Sequence, residues 1–587
     1  MALAVVFALP SLGGGMIADD HHFRMIARGM PGIPEISQSP LDAFNFTGMT
    51  PEDRAVRKAR GLTAWWTHED MQIAFWRPVS ALTHWFDNTL WGDHAWLMHL
   101  HNILWYGILV AAVALLYRRF GMPGWIAALA ALLYAVDEAH GIPVAWIASR
   151  NALLSGLFGV LCLIAHDAWR RQGWRLAGMG APLLFGAGLL SAEAAAATAG
   201  FLLAYALFMD RGGRFHRAVS LLPYLCVGVI WRAAYTHLGY GVAATHLYIE
   251  PAHQPLTFLG NMLIHIPLML SGRFAFPDPS VWLVLGPMAR LALVMWALVV
   301  IGAVLWLLPP GWTQKRELRF WLAGTLIAMV PACATWPQNR LTILPGVGAM
   351  ALLAHAIAAG IQKRGTAPEP PSRAWRARKR LALALFVANV MFGALVFAMF
   401  AGSIGFPAAY MAAVDAHLPD EQTLEQTSLV IVSAPMDAFG VSIPIRQSSR
   451  GGPVPHSLLQ LRGGFGPATL FRVDSSTVIV TTLDGLIEIP WSMLFRNIET
   501  HPFAAGDTVR LPNVEITVLS VSPRGNPLET QFRFDEPLEH AGDWLLWEAE
   551  GLYVFALPAV GQSVRIPETG LADLTRAVLE RGLGIAE

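Results

Sequence analysis

Residues 1–20 read MALAVVFALPSLGGGMIADD, an apolar run from Met1 that ends on two adjacent acids, Asp19 and Asp20. More than ten further apolar runs follow it along the chain. An Asp inside hydrocarbon costs about 2.5–3.5 kcal/mol on insertion scales. The pair is therefore expected at the mouth of a first membrane helix, where it stays ionised. There it faces lipid on one side and water on the other, which suits a reaction that draws on both. The N-terminus has no basic region and no small-residue cleavage site, so the first run is expected to be a retained span rather than a removed signal.

Composition agrees with membrane residence. Hydrophobic residues make up 55% and charged residues 14% of 587 positions, against roughly 25% charged in soluble domains. The formal net charge of zero disfavours nucleic acid as a partner. The 22 tryptophans suit a protein with two membrane–water interfaces. Cys162, Cys226 and Cys333 all lie in apolar runs and are expected to be buried thiols.

A bilayer crossing takes about 20 apolar residues. About eleven spans are expected, near 2–18, 95–117, 121–137, 143–168, 175–191, 193–209, 217–236, 282–308, 319–336, 341–361 and 380–402. Basic residues set the orientation. Arg118-Arg119, Arg170-Arg171-Arg175, Arg211-Arg214-Arg217, Lys315-Arg316-Arg319 and the cluster from Lys363 to Lys379-Arg380 all fall on one side in this count. That side is expected to be cytoplasmic. The Asp pair, the first loop and the C-terminal region are then extracytoplasmic, with the N-terminus cytoplasmic.

The loop 20–94 is too long for a turn. Thr50-Pro51-Glu52-Asp53 reads as a helix start: Thr as cap, Pro at the first position, acids in the first turn. The charged, amphipathic segment 51–61 is expected to lie on the outer membrane surface. A second apolar outer segment, 255–276, carries His265 and Arg273 and is expected along or dipping into the interface. After about Gly405 the texture changes. Ser428–Ser433, Ala468–Val473, Thr477–Thr482, Val514–Val521 and Leu545–Leu557 are short, β-branched or alternating, and separated by turn residues. They predict an extracytoplasmic all-β domain over 406–587, closed by a helix near Leu571–Arg581, behind a membrane domain over 1–405.

The chemistry follows from location. No nucleotide sugar reaches the outer face of a membrane; activated sugars arrive on polyprenyl phosphates. Phosphate leaves as a stable anion, so the strong general acid of glycoside cleavage is dispensable. What remains is a base for the acceptor hydroxyl and cations for the phosphate. Asp19 and Asp20 are the candidate catalytic carboxylates. Arg77, Arg150 and Arg340, each near an expected outer helix end, are the candidate phosphate cations, since Arg grips phosphate with a planar fork. Snorkelling to the headgroups is the competing reading for each. Asp137, Glu138 and His140 are candidates for a divalent cation or the acceptor path, against a plain solvated loop. Glu193 is either a site carboxylate or a helix cap paired with an Arg. His99 and His101 lack a third ligand at fixed spacing, so no zinc site is read. No cofactor is fixed by these residues, and a divalent cation stays open.

Several of these residues sit in a recognisable order. The acid pair is followed by Arg77-Pro78-Val79-Ser80, His99-Leu100-His101-Asn102, Trp146-Ile147-Ala148-Ser149-Arg150-Asn151 and Leu189-Leu190-Ser191-Ala192-Glu193. This resembles the GT-C superfamily of polyprenyl-phosphate-sugar-dependent glycosyltransferases, and most of all the transmembrane O-mannosyltransferases with tetratricopeptide repeats and their bacterial relatives. The match is good over the first 210 residues and loose beyond. The resemblance implies a GT-C-like fold, an inverting transfer with Asp19 as general base, and Arg150 near the donor phosphate. Three departures stand out. Asp137-Glu138 replaces a common His-Pro pair, Ile142 stands at the position of a further acid, and Ala192 replaces a Lys. The repeats are absent.

The reading is a polytopic α-helical membrane protein of the bacterial inner membrane. It is expected to move a sugar from a polyprenyl phosphate to an outer hydroxyl on an envelope glycan, a lipid or a protein. A polyprenyl-lipid or glycolipid flippase and a non-catalytic scaffold of the same fold are the alternatives. A flippase would spread its charges along a path near the midplane, whereas here they gather at one face.

Overall fold

The computed structural model describes residues 1–362, 372–487 and 494–585. Lys363, one end of the last basic cluster, lies outside the described residues. The N-terminal half is helical. Among the described residues eight helices are long and apolar enough to cross a membrane: Ala95–Arg119, Ile147–Gln172, Arg214–His237, Pro255–Gly272, Pro287–Leu307, Arg316–Ala334, Asn339–Ile361 and Arg373–Asp415. Gly124–Ala135 and Glu138–Ala145 make a ninth if taken as one span bent by 46°.

Three expected spans are shorter than this. The first run forms only Ala2–Gly13, because Pro10 and Gly13-Gly14-Gly15 end it early. The runs at 175–191 and 193–209 form Arg175–Leu189 and Glu193–Met209, parted at Ser191. At 1.5 Å per residue a 15-residue helix covers only ~22 Å. Conversely Pro255–Gly272, expected at the interface, has the length and composition of a span.

The Ile343–Ile361 helix is the hub. It is buried on nearly every side, and Gly124–Ala135, Arg316–Ala328 and Arg373–Phe386 pack around it. A helix apolar all round belongs in an interior. The outer helices show the opposite pattern. Leu225, Val229 and Ile230 on Arg214–His237, and Leu291, Met295 and Val299 on Pro287–Leu307, point away from the protein. Apolar faces of that extent are at home against lipid. Cys226 lies on such a face and is exposed, unlike the buried Cys162 and Cys333, which corrects the expectation for it.

The C-terminal region is not all-β. A six-stranded antiparallel sheet runs in the order Ser563–Ile566, Ala468–Arg472, Thr477–Thr482, Pro527–Phe534, Val514–Val521 and Thr508–Leu511. Beside it stands a four-stranded mixed sheet, Gly551–Val554, Asp543–Glu548, Ser428–Ile431 and Ser457–Gln460. Ser428–Ile431 pairs in parallel with both of its neighbours. Parallel strands need a crossover, and the helix Asp437–Arg450 supplies it between Ser428–Ile431 and Ser457–Gln460. This helix contains Gly440, Pro444 and several β-branched residues, so its own propensity is poor. Burial of Asp437, Gly440, Val441, Pro444 and Ser448 along one face holds it instead. Two more helices, Phe406–Asp415 and Leu571–Leu583, pack on each other.

The loop 20–94 ties the two halves together. Thr50 caps the helix Pro51–Ala59 by accepting from Asp53 N at 3.1 Å. Arg57 is buried against Asp53 and Gln38, and Arg60 donates to the carbonyls of Gly32 and His456. The basic residues of this helix are thus spent on the protein itself. Trp65 and Trp66 sink into the core of the six-stranded sheet, beside Val478, Val480, Ile516 and Phe532. The Trp65 indole N–H donates to Leu461 O at 3.1 Å. Gln72–Ala74 pairs antiparallel with Gly241–Ala243, in a distant loop whose Leu247 and Tyr248 line the same cavity as Asp19.

Candidate active site

The helix Asp19–Ala27 begins after Ala18, which has φ 43° and ψ −115°. Positive φ in a residue other than Gly is strained, and strain of this kind gathers at functional sites. Asp20 holds the turn. It is buried, and its two oxygens accept from Ile17 N at 3.0 Å and Ala148 N at 2.8 Å. With Asp20 so occupied, Asp19 is the acid that faces open space. It is half-buried and lines a cavity of about 550 Å³ between the membrane half and the helix Asp437–Arg450.

Burial raises the Asp19 carboxyl to about 6, against the pull of Arg340 and then Arg77. Burial likewise raises Asp20, to about 8; its two backbone donors and Arg150 oppose the rise, while the charge of Asp19 adds to it. A base that titrates near neutrality and opens on a cavity is suited to accept a proton.

A second cavity of about 530 Å³ adjoins the first. Phe75 and Tyr248 belong to the walls of both. Arg77, Arg340 and Glu193 line it, together with Arg232 and Glu250. Arg77 donates to Glu193 Oε2 from Nε at 2.8 Å and from Nη2 at 2.6 Å, and its guanidinium stacks 4.2 Å from the Phe75 ring centre. Glu193 is therefore both a cavity residue and the partner of an Arg. Arg232 pairs with Glu250 at 2.8 Å. Arg340 differs. Among the described residues it has no carboxylate partner; it donates to Gln338 Oε1 at 2.6 Å and lies 5.7 Å over the Trp146 ring. Its charge is available to an anion in the second cavity.

Four expected site residues lie elsewhere. Arg150 is fully buried and lines neither cavity. It is ion-paired with Asp87, donates to Asn102 Oδ1 at 2.6 Å, and also donates to Thr83 O and Met98 O. Nearly every donor it has is spent, so it is a structural cation with no edge left for a phosphate. Asp137, Glu138 and His140 are buried rather than solvated. Asp137 pairs with Arg273 at 2.5 Å, Glu138 accepts from Asn339 Nδ2 at 2.9 Å, and His140 sits between Tyr106 and Arg273. This internal network pins the turn that carries Arg340 and reaches neither cavity. Among the described residues no group of three or more His, Cys, Asp or Glu could hold a metal ion. His101 instead shares Asp87 with Arg150, and His99 bonds Gly15 O.

Tyr248, Arg232, Glu250 and Asp87 carry weight that the chain order does not reveal. Only Asp87 leaves a trace, as the one charged residue in the helix Pro78–Trp91.

No protein-family model matches the chain, and no curated protein matches it. Among solved structures it is similar to an oligosaccharyltransferase of Archaeoglobus fulgidus, solved with a tethered acceptor peptide, at 13% identity and a TM-score of 0.41. The likeness covers 78% of this chain and 63% of that one, so the chain spans under two thirds of that protein's length.

Proposed function

We propose that this protein is an integral-membrane glycosyltransferase that moves a sugar from a polyprenyl-phosphate donor to an extracytoplasmic hydroxyl of a glycan, lipid or protein. One observation carries the reading: the Asp19 carboxylate opens on one cavity, and Arg340 and Arg77, whose charges oppose the rise that burial imposes on it, line the next. The donor phosphate occupies the second cavity, against Arg340 and then Arg77. The acceptor enters the first. Asp19 takes the proton of the acceptor hydroxyl as its oxygen bonds to the anomeric carbon. The bond from that carbon to the phosphate oxygen breaks, and the electron pair leaves on the phosphate, where Arg340 holds the charge. A single displacement of this kind inverts the anomeric centre.

The site lies on the extracytoplasmic side, with the basic loops in the cytoplasm, as the Lys and Arg distribution supports. The bacterial inner membrane is the expected location. The test uses the full chain in liposomes with undecaprenyl-phosphate-linked sugars. Release of undecaprenyl phosphate with sugar on a new hydroxyl supports the proposal, while lipid translocation without release overturns it. Titration with EDTA in the same assay tests the role of a divalent cation.

A further inference from the structure

The first cavity is built unlike a site for a polar glycan or a plain peptide. Asp19 stands at one end. The helix Phe406–Asp415, which continues directly from the last apolar span, contributes Pro407 and Met411, and the helix Asp437–Arg450 contributes Phe439 and Ile445. This part of the wall is apolar, and one of the helices that builds it lies at the end of the last apolar span. Apart from Asp19, His22, Thr47 and Thr63, the cavity's polar and charged lining includes one cluster: His21, Ser442, Arg446 and Arg450.

That place is cationic. The Asp415 carboxylate takes both Arg446, at 2.5 and 3.0 Å, and Arg450, at 2.8 Å. Two guanidiniums share one carboxylate, and the same happens behind them, where Arg24 and Arg28 share Asp93 at 3.0 and 2.9 Å. Four arginines stand against two acids. Burial and then Arg446 and Arg450 push the His21 imidazole down to about 3, so it stays neutral in this surplus field. Arg450 is 40% exposed, which leaves its outer edge open to a ligand.

Resting on the transfer reaction above, we propose that the acceptor is a membrane lipid with a phosphate and a hydroxyl in its headgroup. The phosphate meets Arg450, which shares Asp415 with the buried Arg446, the apolar part lies along Met411, Phe439 and Ile445, and the hydroxyl reaches Asp19. The proton passes to Asp19, and the sugar gains a bond to the headgroup oxygen as donor phosphate departs.

The experiment places the full chain in mixed micelles with equal dioleoylphosphatidylglycerol and dioleoylphosphatidylcholine and reads retained lipid by native mass spectrometry. The wild type should retain the anionic lipid in preference. Arg450→Ala should lower that preference about fivefold, the equivalent of ~1 kcal/mol for one basic group near an anionic headgroup. Ile445→Trp, which narrows the cavity along its apolar wall, should weaken it, and Arg340→Ala in the other cavity should leave it intact. Equal retention of both lipids by the wild type overturns the proposal. So does an Ile445→Trp variant that melts and binds as the wild type does, or displacement of all bound lipid by a short acidic peptide. Adding donor separates the two readings. Lipid bound but never gaining a sugar mass sinks the transfer reaction. Sugar passed to another acceptor with no lipid bound sinks this inference alone.

Discussion

Replacing Asp19 with Asn should separate catalysis from stability in opposite directions. The carboxyl is carried from 3.8 to about 6, chiefly by burial. At 1.36 kcal/mol per unit the shift is worth at most ~3 kcal/mol. The sign follows from linkage. A folded-state value above the unfolded one means that the proton is held more tightly in the fold. The associated stability is present in full below pH 3.8 and is lost as pH rises through about 6. At pH 7 the native protein therefore carries an ionised group its surroundings disfavour. Asn is neutral and nearly isosteric, so Asp19→Asn should raise the apparent Tm at pH 7, and the gain should shrink as pH falls towards 4. Transfer should fall about 10²–10⁴-fold, the usual contribution of a positioned base. Wild-type activity should drop about tenfold per unit below pH 6, a limb the variant lacks, with Arg340→Ala moving it to higher pH. The assay is sugar transfer in liposomes across pH 4.5–8, beside thermal denaturation of the same samples. Turnover of Asp19→Asn within a few-fold of wild type would refute the reasoning, as would an acid limb that survives in it.

Arg340→Ala should also lower kcat/KM for the donor about 10- to 100-fold, the cost of one charge-assisted contact, with normal folding; transfer kinetics at varied donor check it. Arg150→Ala should act as a folding lesion of about 3–5 kcal/mol, because it leaves the buried Asp87 with His101 alone as a partner. A folded Arg150→Ala protein with only a raised donor KM would show that Arg150 touches the phosphate after all. Trp65→Ala should cost about 3–5 kcal/mol and loosen the C-terminal domain from the membrane half, seen as faster proteolysis after residue 405. Ala18→Gly should relieve the φ of 43° and raise the apparent Tm, by about 1 kcal/mol of stability.

Much of the architecture is visible in the chain because its causes are local. A run of 20 apolar residues needs no distant partner to declare itself, and neither does the Thr50 cap or the alternation of Thr477–Thr482 and Val514–Val521, both found where the pattern places them. The acid pair is legible for the same reason, since carboxylates beside an apolar run are costly wherever the chain goes. Partnership is another matter. Arg77, Arg150 and Arg340 look alike in sequence, yet Glu193 sits 116 residues from the first, Asp87 takes the second, and the third has no acid paired with it among the described residues. The Trp65-Trp66 pair has the composition of an interface anchor but finds a β-sheet more than 400 residues away. The helix Asp437–Arg450 defies its own propensity because two parallel strands require a crossover. Charge and hydropathy are properties of residues, so the sequence alone could place the membrane half and nominate Asp19. Which cation stays unpaired and which surfaces close into cavities are properties of pairs far apart in the chain, and only the tertiary structure decides them.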